Sequence, residues 1–369
     1  MTQNMKSDNA QQNIAIGTRM QRMGKKVLMA LGMLILMGLM GLSTSCTKGR
    51  GGQSGKTFMP EITGKAGEIL LVFNGSHKED TAYKTLEYIL EQPYLGLPTD
   101  EPYFELMTVP NKYFDANLHK HRNIIMLNVS DTVSLDTLRY QKDTWARPQS
   151  VVKIQAHDVQ SASDVILRNE IRLMSFFTQA ERDRLMNYFK RIGGADLCSE
   201  LQKRWGVSMS VPNFFARCTP EHPEELTWLM STTKEYDDGL VVYTFPYEGV
   251  ESISKEALIA KRDTMLRHNV GGPQGSVMCT ETREGAQEVI YKYGAGKHKG
   301  LDVVEMRGLW RMDNYPMGGP FIMRAVIDTA QNRVIVTDGY VYYPSREQKR
   351  NHIRQLEAIM HTMVPLTKD

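Results

Sequence analysis

Val303–Trp310 (VVEMRGLW), Phe321–Asp328 (FIMRAVID) and Arg333–Tyr342 (RVIVTDGYVY) bring three runs rich in β-branched and aromatic residues into forty consecutive positions. Short polar connections separate them, so they read as consecutive strands of one antiparallel sheet. A further run, Glu288–Tyr293 (EVIYKY), precedes them. One helix follows: Ser345 and Gln348 have capping-box spacing, and Ile353, Leu356, Ile359 and Met360 form an apolar stripe that needs a sheet to cover it. Upstream, a helix is predicted over 255–268, and strands over 207–211, 226–232 and 240–245. The last two flank Tyr236-Asp237-Asp238-Gly239, a hairpin signal because glycine accepts the positive φ of tight turns.

The amino-terminal half alternates. Glu68–Phe73 (EILLVF), closed by Asn74-Gly75, reads as a buried strand, and 78–91 reads as a helix with its stripe at Tyr83, Leu86, Tyr88, Ile89 and Leu90. Strands follow at 103–109, 123–129 and 151–157. Residues 158–206 turn helical, with Thr178 and Glu181 as a capping box that splits the stretch, and Gly193-Gly194 as a terminator behind Leu185, Tyr188, Phe189 and Ile192. The expectation is an α+β fold, with mixed and antiparallel sheets packed against helices. Its predicted division is residues 65–206 as a first α+β unit and 207–369 as a second, strand-rich one. Trp145 before Pro148 and Trp310 before Pro316 give the two a faint rhyme, which raises duplication as one reading.

Residues 1–64 read differently. Gly24, Lys25 and Lys26 precede an apolar run of 16 residues, Val27–Leu42, which is short of the roughly 20 that span a bilayer and ends in Ser43-Thr44-Ser45-Cys46. That is the layout of a cleaved export signal, and it resembles a lipobox whose leucine stands one place too far from Cys46. The resemblance implies lipidation at Cys46, a membrane anchor, and removal of residues 1–45, of which 1–22 are an upstream extension with Met20 or Met23 as alternative starts. Residues 46–64 are rich in Gly and without periodicity, as a flexible tether is. No acidic run follows the cysteine, which by the same resemblance favours the periplasmic face of the outer membrane. Removing residues 1–45 leaves 40 basic against 41 acidic residues, so the charge footprint of a nucleic-acid binder is missing. Cys198, Cys218 and Cys279 remain, open to one bridge or none.

Several punctuated motifs occur in a fixed order: Leu97-Pro98 through Glu101-Pro102, Val109-Pro110, His121-Arg122-Asn123-Ile124, Trp145-Ala146-Arg147-Pro148-Gln149, Arg307-Gly308-Leu309-Trp310, Met317-Gly318-Gly319-Pro320-Phe321 and Tyr340-Val341-Tyr342. The series resembles the Bacteroidota envelope lipoproteins of domain of unknown function family 4837. The resemblance implies an envelope location over nearly all of the mature chain and transfers no reaction or ligand.

For chemistry, Glu305, Arg307, Trp310, Arg311 and Asp313 crowd one strand beside a turn carrying Gly318 and Gly319. Alternation points Glu305 and Arg307 one way and Trp310 the other. Glu305 and Asp313 are the candidate acids or bases, Arg307 and Arg311 candidate anion ligands, and Trp145, Arg147 and Gln149 a candidate second wall of the same groove. The alternative is an ordinary ion pair with turn glycines and a core tryptophan. His119-Lys120-His121 lacks a third metal ligand, Gly294-Ala295-Gly296-Lys297 lacks the first glycine and the Ser or Thr of a phosphate loop, and neither a GxSxG nor an HExxH pattern is present. No metal, cofactor, nucleotide or nucleic acid is expected. The reading is a periplasm-facing lipoprotein that binds an envelope protein or ligand, with an envelope hydrolase acting through Glu305 or Asp313 as the alternative.

Overall fold

The polar stretch after Cys46 is shorter than its composition suggests. Pro60 accepts a hydrogen bond from the Arg147 amide at 2.9 Å, and Thr63 is bonded through its own amide to Lys120 at 2.8 Å, so the chain is already part of the folded unit, residues 58–369, at Pro60. The structure, a computed structural model, describes residues 59–74, 79–298, 300–344 and 349–366. Cys46, the apolar run and the Ser345–Gln348 capping box lie outside the described residues. No described helix is long and apolar enough to cross a membrane.

The first sheet carries β1 (Glu68–Asn74), β2 (Glu105–Pro110), β3 (Asn123–Val129), β4 (Thr137–Lys142) and β5 (Ser150–Ala156), in the order β2-β1-β3-β5-β4. All neighbours are parallel except β4, which runs against β5. Three helices, α1 (Thr81–Leu90), α2 (Val159–Arg168) and α3 (Glu170–Arg191), cover one face through Leu86, Ile89, Ile166, Leu173 and Phe177, packed on Ile69, Leu71, Ile125 and Ile154. The predicted capping box at Thr178 falls inside α3. Glu181 does not turn back on its helix; its carboxylate is taken by Asn123, Arg122 and Arg184 at 2.7–2.8 Å.

The second sheet is antiparallel. It contains β7 (Ala216–Arg217), β8 (Thr227–Thr232), β9 (Asp237–Pro246), β10 (Met278–Thr280), β11 (Ile290–His298), β12 (Leu301–Met312), β13 (Gly318–Asp328) and β14 (Arg333–Tyr342), in the order β10-β12-β13-β14-β9-β8-β7, with β11 also on β12. The predicted α+β class, with mixed and antiparallel sheets against helices, holds. The two sheets differ in strand number, order and direction, so the tryptophan–proline rhyme marks no repeat.

On one face lies α5 (Lys255–Asn269), with Leu258, Met265 and Leu266 against Tyr243, Val304, Met306 and Trp310. On the other lies α6 (Lys349–His361), whose expected stripe Ile353, Leu356, Ile359 and Met360 is buried against Val303, Ile322 and Ile335. The helix α4 (Ala195–Trp205) belongs to this core through Leu201 and Trp205, so the second half starts before residue 207. A small ladder of β6 (Val207–Ser208) and β15 (Val364–Pro365) closes it, and the strand expected over 207–211 is only two residues long.

The hairpin between β8 and β9 turns at Thr233–Tyr236, because Thr232 pairs with Asp237; Thr233 supplies an amide bond to Tyr236 and a hydroxyl acceptor for the amides of Glu235 and Tyr236. Gly239 is therefore inside a strand. A Cβ there would lie 2.0 Å from the ring of Tyr340, its partner in the ladder, and the Tyr340 hydroxyl accepts from Trp228 at 2.8 Å. The glycine makes room for the ring. Gly239→Ala should lower stability by about 1–3 kcal/mol through overpacking, and Tyr340→Leu in the same chain should recover part of that loss; urea unfolding of the three chains measures both, and equal midpoints for wild type and Gly239→Ala would refute the packing.

Candidate functional site

Alternation on β12 sends Glu305, Arg307 and Arg311 to one face and Met306 and Trp310 to the other. Glu305 and Arg307 look toward α6 and the first half; Arg307 is buried and Glu305 half-buried. Arg307 bonds Glu305 at 2.8 Å and the Tyr94 hydroxyl at 3.1 Å, and lies 3.2 Å from Glu357. Tyr94 in turn donates to Glu357 at 3.1 Å, and Arg182 from α3 donates to the other carboxylate oxygen at 2.6 Å. Burial alone would raise the Glu357 carboxyl; the Arg307 and Arg182 guanidiniums outweigh it and hold it well below the carboxylate range. His361 approaches Glu357 to 3.8 Å, but burial and the nearby Arg324 and Arg182 push its imidazole down to about 2, so it stands there neutral. This is a seam rather than a solvated ion pair.

Ligand atoms of Glu305, Glu357 and His361 lie within 4.8 Å of one another, which is the spacing of a metal site. Arg182, Arg307 and Arg324 share the same space, and Arg324 Nε is 3.9 Å from Glu305. Three guanidiniums against two carboxylates leave no negative charge for a cation. The donor set does not suit a metal.

Beyond Leu309 the strand end opens to solvent, with Arg311 on the same side as Glu305 and Arg307. A groove of about 550 Å³ is lined by Trp310, Arg311, Asp313, Gly318 and Gly319, together with Tyr315, Glu281, Arg283, Pro98 and Lys349. A neighbouring hollow of about 840 Å³ shares Pro98, Glu281, Arg283 and Leu309 with it and extends over Asp100 and the loop at 284–287. Of the expected residues the groove gathers Trp310, Arg311, Asp313, Gly318 and Gly319, and leaves out Glu305 and Arg307. Trp145, Arg147 and Gln149 are no second wall. They sit on the β4–β5 connection of the first sheet, where Trp145 stacks on His119 at 4.9 Å, Arg147 pairs with Asp143 at 2.8 Å, and Gln149 donates to the carbonyls of His119 and His121.

Within the groove each side chain has a local reason. Trp310 is a core residue, 1% exposed, whose indole donates to Val341 at 3.1 Å; only its edge reaches the floor. Gly318 and Gly319 let strands meet, since Cβ atoms there would fall 2.6 Å from the Trp310 carbonyl and 2.0 Å from that of Val341. Asp313 accepts from the Val277 amide at 2.9 Å, and that bond lowers its carboxyl below the usual range. Glu281 is gripped by the Arg283 guanidinium, which with the Arg283 amide and Arg311 holds its carboxyl at about 2. Arg311 Nε is buried without an acceptor among the described residues, with the Glu281 carboxylate 3.7 Å away. Cys198, Cys218 and Cys279 are free thiols. Glu281, Arg283 and Lys349 carried no site signal in the sequence, and Pro98 entered only as part of the Leu97-Pro98 motif.

Residues 195–362 match the family model of a domain of unknown function, DUF4837. The DUF4837 region thus covers α4 through α6 and holds nearly all of the groove, whereas residues 63–190 match a different domain of unknown function, DUF8532. The resemblance read over nearly the whole mature chain narrows to the second half. No curated protein matches the sequence. Among solved structures, the Saccharomyces cerevisiae Ran-binding protein Mog1p is similar at 8% identity and a TM-score of 0.28, over 43% of this chain and 90% of that one. A mutant of Mog1 gives 8% and 0.27 over the same shares, 43% and 90%. Likenesses this remote assign nothing to the chain.

The seam has a pH signature. Glu357, depressed when folded, contributes stability that is complete above its unfolded value near pH 4.5 and lost as pH falls further. His361, depressed to about 2, also favours the folded state only above its unfolded value near 6.5, so stability should start falling below about pH 6.5 and fall more steeply below about 4.5. Glu357→Gln leaves the guanidiniums uncompensated and should cost about 3–5 kcal/mol while flattening the limb below pH 4.5. Denaturant melts from pH 7 to 3 check this; an unchanged slope below pH 4.5 in the variant would rule out Glu357 as its source.

Proposed function

We propose that this chain is a lipid-anchored, non-catalytic binding module of the bacterial cell envelope, held at the periplasmic face of the outer membrane through Cys46. It receives an envelope protein or ligand in the groove between Arg283, Arg311 and Pro98. The reading of location rests on the apolar run before Ser43-Thr44-Ser45-Cys46 and on the likeness of that pattern to lipoprotein signals. The family resemblance to Bacteroidota envelope lipoproteins points the same way.

The observation that carries the binding role is Arg311, whose buried Nε has the Glu281 carboxylate 3.7 Å away but no hydrogen-bond acceptor among the described residues, at the edge of an open groove. A buried donor left unpaired costs about 1–3 kcal/mol, and a carboxylate or phosphate oxygen of a ligand would satisfy it. Hydrolysis by Glu305 or Asp313 loses its motive. A general acid or base needs a proton to exchange near neutral pH and reach to a substrate, whereas Asp313 is lowered by the Val277 amide and Glu305 is paired with Arg307 in the seam and does not line the groove.

Metabolic labelling should put palmitate on the wild-type chain and none on Cys46→Ala; an unlabelled wild type would end the anchoring reading. Crosslinked capture from intact cells should recover a species with the wild type that falls about tenfold with Arg311→Ala, in keeping with a loss of about 1.4 kcal/mol. Equal recovery from both chains would end the groove reading.

A further inference from the structure

The first sheet is covered by α-helices on one face only. On the other, Leu70, Val72, Ile124 and Val151 pack beside Val109 and Met126 of the same sheet and are roofed, among the described residues, by Phe114, Leu118 and Trp145. That roof is where the chain arrives from its amino-terminal side. Pro60 is bonded to Arg147, Thr63 to Lys120, and Arg122 back to Thr63, at 2.8–2.9 Å, so the arriving segment is pinned to the two loops that carry His119 and Trp145.

The surface around this point is cationic and aromatic. Lys112 and Arg139 are exposed; the Lys112 ammonium lies 4.9 Å from the ring of Tyr113, itself 61% exposed. Lys153, the ladder partner of Arg139, lies 5.8 Å from the Trp145 ring. Of the nearby acids, Asp115 accepts from the amides of Asn117 and Leu118, Asp143 accepts from Arg147 and the amide of Gln149, and Glu61 is exposed beside Arg147. Lysine, arginine, tyrosine and tryptophan together are the set that settles among lipid headgroups.

Reach selects the occupant. Only twelve peptide steps separate Cys46 from Phe58, at most about 40 Å when fully stretched and about 20 Å as a coil. A lipid at Cys46 would keep this face within that distance of the bilayer, where an anionic surface attracts each nearby Lys or Arg.

We propose that the face of the first sheet opposite its α-helices, centred on Lys112, Tyr113, Arg139 and Trp145, docks on the anionic headgroups of the membrane that holds the anchor. This rests on the lipoprotein reading above. Docking would turn a chain that is merely tethered into one with a fixed face toward the lipid.

The test uses the full chain processed in cells, reconstituted in vesicles of phosphatidylcholine alone or with a quarter phosphatidylglycerol, and reads lysine acetylation by mass spectrometry. Lys112 and Lys120 should react about threefold or more slowly on the anionic vesicles, while exposed Lys190 and Lys203 react alike on both. Salt at 0.5 M, with a Debye length of about 4 Å, should abolish the difference, and so should Lys112→Glu with Arg139→Glu, read at Lys120. Flotation on neutral vesicles reports the anchor separately. A chain that floats yet shows equal acetylation of Lys112 and Lys120 on both vesicles overturns the docking face alone; one that neither floats nor carries palmitate overturns the lipoprotein reading and the docking face with it.

Discussion

Glu357 is the charge on which the arrangement of the second sheet and the first half's loop depends. It accepts from Tyr94, Arg182 and Arg307, groups brought from the β1–β2 connection, α3 and β12. Each guanidinium removed from water costs several kcal/mol unless a carboxylate meets it, so these elements are stable only when assembled together. Neighbouring contacts follow the same rule of mutual completion. The Glu101 carboxylate accepts from the Lys349 and Arg350 amides at 2.9 and 3.0 Å, capping α6 from another part of the chain, and Arg350 and Arg354 reach back to the carbonyls of Pro102 and Tyr103. His352 bonds Asp238 at 2.8 Å and fixes α6 to β9. The groove inherits its shape from this seam, since Pro98 comes from the loop that Tyr94 anchors and Lys349 from the helix that Glu101 caps.

Strands built from continuous apolar runs were legible, as at 68–74, 123–129, 321–328 and 333–342, because burial on both faces leaves little else such runs can do. Where local signals failed, a distant residue had claimed the group. Thr178 and Glu181 fit a capping box, yet Asn123 and two arginines take the carboxylate. Tyr236-Asp237-Asp238-Gly239 fits a turn, yet His352 takes Asp238 and the Tyr340 ring lies over Gly239. The strand β4, Thr137–Lys142, is polar and half-exposed at a sheet edge, so it carries almost no pattern. The parallel order of the first sheet is likewise set by packing between elements far apart in sequence.

The site was half legible. Period-two alternation on β12 correctly divided Glu305 and Arg307 from Trp310, and the turn glycines marked the groove wall. What alternation does not tell is where along a face solvent enters; the charged face is covered at Glu305 and Arg307, because Arg182, Tyr94 and Glu357 arrive from three other elements to neutralise it, and opens at Arg311. Trp145, Arg147 and Gln149 share composition with the groove but not place. They belong to the β4–β5 connection, where Trp145 packs on the first sheet's face opposite the α-helices and Gln149 ties that connection to His119 and His121.

The most direct measurement of the seam's role is native-state hydrogen exchange resolved by segment. If Glu357 welds the halves, the slowest amides of β1 and β3 and those of β12 to β14 should open with one shared free energy, and under increasing urea they should merge into one isotherm. First-sheet amides that open at a free energy several kcal/mol lower, with the second sheet still protected, would contradict a single body held together by that carboxylate.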